Sequence, residues 1–200
     1  MECWFILASS PTGNNRRIEL NGIDIRSGIG IDNVFVYSFD VNIDRLKEAL
    51  SYTLSVWPIV SGRFRFVDNV SFVIEMSDNG IPMTFIRNTQ LNQWICDSNV
   101  VRDSDKNELL PFIDVVQTTR IGFDYPDEPL FRLKITHIVK SNEWIMGTSW
   151  SHYLGDASSY ANFLHDLSRC YQQMEPMKPL PMFERRVWHN NEIYLCKYIV

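Results

Sequence analysis

The chain has 200 residues, 45% of them hydrophobic, and a formal net charge of −5 from 19 basic and 24 acidic side chains. A chain of this length buries about 70% of its unfolded surface, enough for one sizeable core. The acidic balance, with no basic stripe interleaved with aromatics, argues against a nucleic-acid partner, and no stretch approaches the roughly 18 apolar residues of a membrane span.

Met1 to Ala8 reads as a first strand, since its apolar run is short and lacks the basic leader of a signal peptide. Val34 to Tyr37 is a second strand. Ile43, Leu46, Leu50 and Leu54 recur at steps of three and four and predict a helix over 43–56, capped by Asp40 or Asn42 and stopped by Pro58. Ser61 to Val67 and Val70 to Met76 predict two strands joined through Asp68-Asn69, a dipeptide that tolerates the angles of a two-residue hairpin turn. Ile81 to Ile86 continues as a strand. Thr89 to Glu108 is polar and weakly periodic, and its charges (Asp97, Arg102, Asp103, Asp105, Lys106 and Glu108) read as solvated surface.

Asp124-Tyr125-Pro126-Asp127-Glu128-Pro129 is a loop by its prolines. It leads into a strand from Leu130 to Val139, which Lys140-Ser141-Asn142 joins to a second strand from Trp144 to Trp150. From Ser158 onward, Tyr160, Phe163, Leu164 and Leu167 fall at helical spacing. The hairpin therefore delivers His152 to a turn between strand and helix, where a rigid strand fixes position and the open turn gives access. Imidazole is the side chain suited to take and return a proton near neutral pH. Asp156, four residues on, either hydrogen-bonds the ring and fixes its tautomer or points away and locks the turn. Prolines 176, 179 and 181 make the tail an extended connector.

The order of these features resembles the BAHD and trichothecene acetyltransferase-like CoA-dependent acyltransferases. The resemblance rests on Ser10-Pro11-Thr12 and Ile18 to Asp24, on the helix ending in Pro58-Ile59-Val60-Ser61-Gly62-Arg63, on His152-Tyr153-Leu154-Gly155-Asp156, and on Pro181-Met182-Phe183-Glu184-Arg185. It covers roughly residues 10 to 187. It implies an α/β class, an α+β two-layer sandwich with a mixed sheet and flanking helices, which is half of a chloramphenicol acetyltransferase-like fold. Residues 1–175 would form the N-terminal acyltransferase domain and 176–200 the connector. The family's Asp-Phe-Gly-Trp-Gly segment, which belongs to a second domain, does not occur, so the C-terminal acyltransferase domain is absent from this sequence.

The resemblance further implies catalytic His152 as general base, with Asp156 as structural support of the turn, facing an arginine of the other half. Acyl-CoA would be a co-substrate with no permanently bound cofactor, the acceptor a small molecule with a hydroxyl or amine, and the location cytoplasmic. Ala157 replaces the family's usual glycine, which would tighten the turn if that position needs a positive φ. Half a channel would leave an apolar wall facing water, which predicts self-association through that face.

Other chemistries are weaker. Ser151 beside His152 would suggest a hydrolase triad, but adjacent strand residues point to opposite faces. Condensation domains carry a second histidine where this chain has Ser151. Cys3, Cys96, Cys170 and Cys196 lack the spacing of a metal knuckle or a disulfide framework and read as reduced thiols. His137, His165 and His189 have no ligand partners at metal-site spacing and read as structural, and Asp124, Asp127 and Glu128 as exposed loop acids. A catalytically inactive half-domain acting as a binding module is the alternative function.

Overall fold

A computed structural model describes residues 1–13, 16–26, 29–67, 71–94, 106–118 and 121–183. Its elements are strands β1 (Glu2–Ile6) and β2 (Arg17–Glu19), helix α1 (Gly22–Arg26), strand β3 (Gly30–Tyr37), helix α2 (Ile43–Val56), and strands β4 (Arg63–Val67), β5 (Ser71–Glu75) and β6 (Ile81–Asn88). Helix α3 (Lys106–Leu109), the hairpin strands β7 (Phe131–Ile138) and β8 (Glu143–Ser151), and helix α4 (Ala157–Tyr171) complete them.

Five strands form a mixed sheet in the order β1-β6-β7-β8-β3, with β6 and β7 parallel and the other pairs antiparallel. A smaller antiparallel sheet runs β2-β5-β4. Helices α2 and α4 pack on each other and cover one face of the large sheet. The class is thus the mixed α/β half-sandwich that the sequence implied. The Asp68-Asn69 turn lies outside the described residues; Val67 pairs with Ser71 across it, so the strands do form a hairpin but with three residues between them rather than the expected two.

The helix over 43–56 forms for the reasons its sequence carries. The Asn42 side chain accepts from the Arg45 N–H at 3.0 Å, so Asn42 is the cap, and Leu46, Leu50 and Leu54 are buried on one face. Pro58 then opens a short 3-10 turn, Pro58–Ser61. Asn21 and Asp24 cap α1 reciprocally, each side chain accepting from the other's backbone N–H.

Phe163 of α4 is fully buried and meets Trp57, Phe131 and Trp150, with ring centroids 5.0 to 5.9 Å apart. Such tilted and edge-on contacts add to the burial of each ring. They fix α4 against the sheet directly behind the turn that follows β8.

The opposite face of the sheet is covered by a segment to which the sequence assigned no element. Leu110–Phe112 form a 3-10 turn, and Phe112 buries against Ile138 and Ile145 with Trp94 alongside. The Val116 N–H then donates to Ser149 Oγ at 2.9 Å, and Lys134 Nζ pairs with Asp114 at 2.9 Å. Backbone approaches so closely that a Cβ at Gly147 would run into the Phe112 carbonyl. Of the acidic run predicted as surface, Glu108 is exposed. Asp97, Arg102, Asp103 and Asp105 lie outside the described residues, as does the Lys106 side chain.

The proline segment does not hang free. Pro176 is buried, the Met177 N–H donates to Asp166 at 2.7 Å, and Phe183 packs on Trp57 at 5.6 Å. Asp166, 1% exposed, also accepts from the Trp57 indole at 2.8 Å, so a single buried carboxylate joins α4, the end of α2 and the connector.

Candidate active-site turn

The β8 strand ends at Ser151, and four residues carry the chain to Asp156 at the start of α4. Backbone hydrogen bonds close that turn: Leu154 N–H to Ser151 O at 3.0 Å, Gly155 N–H to His152 O at 3.1 Å, and His152 N–H to Ile29 O at 3.2 Å. The fully buried Trp150 reaches under it and donates its indole N–H to Gly155 O at 3.1 Å. Gly155 has φ +150, and a Cβ there would fall 2.7 Å from the Ser159 side chain, so a side chain at this position is excluded. Ala157 is the first helical residue with no positive φ, and the tightening expected from the missing family glycine does not arise.

His152 is half-buried, and its ring makes no hydrogen bond to any described residue. Asp156 is turned away from it. Its Oδ1 accepts from the Ser159 N–H at 2.8 Å and from the Ser159 hydroxyl at 2.9 Å, capping α4. Of the two geometries open to Asp156, the chain adopts the one that points away from the ring, and among the described residues Ser159 is its partner. Ser151 is buried and its Oγ accepts from the Tyr153 N–H at 3.4 Å, so it is not engaged with His152.

These two hydrogen bonds from Ser159 hold the Asp156 carboxyl below its ordinary value. With the folded value depressed, the cap's stabilisation is present above the unfolded value and drains away as pH falls through the folded one. Asp156→Ala is expected to cost about 1 kcal/mol at pH 7. That gap from the parent chain should close progressively below about pH 4, which urea denaturation at a series of pH values measures.

A recess of about 390 Å³ adjoins the turn, lined by Trp57, Leu154, Gly155, Ser159 and Phe183 among others. His152 is not part of its lining.

The remaining candidates have other employment. His137 stacks on Trp144 at 4.1 Å and hydrogen-bonds Asn142 at 2.9 Å. Glu128 binds Arg132 and the Gln117 N–H, and Asp127 binds Arg65, so these loop acids are engaged in ion pairs. Cys3 and Cys170 are free thiols, and burial pushes the Cys170 thiol up, away from the reactive thiolate. Cys96, Cys196, His189, Glu184 and Arg185 lie outside the described residues. Among the described residues no group of three His, Cys, Asp or Glu side chains is arranged to hold a metal, and no helix is long and apolar enough to cross a membrane.

No curated protein matches the chain. Solved structures do. Vinorine synthase superposes with a TM-score of 0.70 at 23% identity, covering 92% of this chain and 44% of its own. F. sporotrichioides TRI101, solved with coenzyme A and T-2, gives a TM-score of 0.56 at 16% identity over 82% of this chain and 43% of its own. The starter condensation domain of rhizomide synthetase RzmA gives 0.51 at 12% identity over 74% and 34%. The chain thus spans less than half the length of each of these proteins, and the likeness is one of fold. The family model described as the Transferase family matches residues 1–193. On that match over nearly its whole length, together with the shared half-sandwich, this chain belongs to the Transferase family of BAHD-type acyltransferases.

Proposed function

We propose that the chain carries the proton-transfer half of an acyl-CoA-dependent acyltransferase. His152 removes the proton from an acceptor hydroxyl or amine, whose oxygen or nitrogen attacks the thioester carbonyl. The tetrahedral intermediate collapses with cleavage of the C–S bond, and the imidazolium returns its proton to the departing CoA thiolate. The observation that supports this most is the combination of an unbonded, half-exposed ring with a turn held rigidly from beneath by Trp150.

In this reading Asp156 supports the turn and faces an arginine supplied by a second domain. Residues 1–175 are the catalytic N-terminal domain and 176–200 the connector, acyl-CoA is a co-substrate rather than a resident cofactor, and the protein works in the cytoplasm. Coenzyme A in the TRI101 structure is consistent with the donor. The oxyanion donor would come from the second domain, as would most of the acceptor pocket.

A second reading is a binding module without turnover. It adds the expectation of self-association through the half-channel face.

Release of free thiol from acetyl-CoA, followed against alcohol and amine acceptors, tests both. The chain alone and a form extended by the coding sequence beyond Val200 should be compared. Acceptor-dependent release from the extended form supports transfer. Thermal stabilisation by acetyl-CoA with no release from either form would favour the binding module, and neither effect would overturn both.

A further inference from the structure

At the end of β8 opposite His152, roughly 25 Å of strand away, a cavity of about 260 Å³ opens between the large sheet and the C-terminal half of α4. Its walls include Phe35 and Tyr37 of β3, Trp144 and Met146 of β8, and Leu164 and Tyr171 of α4. No carboxylate, lysine or arginine lines it. Two hydrogen-bonding groups in this wall are unmet among the described residues. The Trp144 indole N–H is buried without an acceptor, and the Tyr37 hydroxyl makes no hydrogen bond. A buried donor without an acceptor, as at Trp144, is rare and costly to leave so, whereas Tyr37 is half-exposed.

We propose that this cavity is a second ligand site, distinct from the acyl-transfer turn, for an uncharged aromatic molecule of about ten to twelve non-hydrogen atoms with one hydrogen-bonding oxygen. Each part of that description has its observation. A cavity of about 150 Å³ holds benzene, so the larger volume here suits two fused rings. Four of the six walls named are aromatic and favour stacked or edge-on rings, while Met146 adapts to an irregular edge. Apart from His165, which is exposed, the lining offers an ion no group of opposite charge. The oxygen answers the Tyr37 hydroxyl and the Trp144 N–H, both on lining residues. Burial pushes the Tyr37 phenol further above its ordinary value, so it stays protonated as a donor.

The probe is 2-naphthol, titrated into the full chain and followed by NMR at the Met146 and Leu164 methyl groups. Saturable one-to-one binding with a dissociation constant on the order of 10 to 100 μM is expected, with the shifts centred on those methyls. Leu164→Trp, which fills the cavity, should weaken binding by about tenfold or more. Tyr37→Phe should weaken 2-naphthol several-fold and leave naphthalene unchanged.

Shifts centred on the His152 turn instead, equal affinity in folded Leu164→Trp, or equally tight binding of the anion 2-naphthoate would overturn the proposal. Absence of any saturable shift would do the same. Should Leu164→Trp not fold, the methyl shifts of the parent chain decide by themselves. None of these readouts requires acyl transfer, so the result stands apart from the function proposed above.

Discussion

His152→Ala is expected to lower acyl transfer by about 10²- to 10⁴-fold in the catalytically complete enzyme, the range a positioned general base supplies. The loss should fall on kcat and kcat/KM together, because proton removal is needed in the transition state and contributes nothing to holding acyl-CoA. Stability should barely move. The ring is half-exposed and has no hydrogen bond among the described residues, so its removal leaves no buried group unsatisfied. Turnover and urea denaturation of the same preparation separate the two effects. A folded variant retaining more than about a tenth of parental turnover would remove His152 from the mechanism.

Arg63→Met is expected to produce the largest loss of stability. Arg63 is 3% exposed, yet among the described residues no carboxylate accepts a hydrogen bond from its guanidinium. It donates instead to four backbone carbonyls, those of Ser61, Gly62, Gly80 and Asp127, at 2.8 to 3.1 Å. These belong to the exit of the 3-10 turn, the connection before β6 and the proline loop, so one side chain joins three separate segments. Burial pulls its pKa down, and the nearby Asp127 acts in the opposite sense.

Methionine fills similar volume but leaves the carbonyls without donors, at a cost of about 3–5 kcal/mol after the desolvation of the cation is set against it. At roughly 2–4 °C per kcal/mol, Tm should fall by about 10 °C or more. Arg65, two residues along the same strand, is the control. It pairs with Glu75 and Asp127 and touches the Pro126 carbonyl, but its side chain is 28% exposed, so Arg65→Met should cost no more than about 1 kcal/mol. Equal losses in the two variants would show that the carbonyl contacts of Arg63 are not what matters.

Local periodicity made the main elements legible in the sequence. The α2 helix matches the expected 43–56, and α4 begins at Ala157, one residue before the expected start, because Asp156 is its cap. The hairpin presenting His152 follows from the turn residues 140–142 between two apolar runs. The segment 110–118 was not legible, since it packs through backbone and isolated side chains and has no period. Its one trace was Gly147 within an otherwise bulky strand, a position that makes sense only once the Phe112 carbonyl is seen lying on it. The site was legible in part. Spacing brought His152 and Asp156 to one turn, but not the orientation of the carboxylate, which Ser159 decides three residues later. The cavity beside Tyr37 and Trp144 joins residues more than a hundred positions apart in the chain, and no local pattern announces it.

The peg that Trp150 drives beneath Gly155 sets the order in which the machinery can be assembled. Among the described residues, the hydrogen bonds that close the turn run between Ile29 and Ser159, so none of those bonds waits on a segment made later. On a ribosome that releases the amino terminus first, the reactive group would stand ready before any second domain had emerged, and later docking would enclose it without having to shape it.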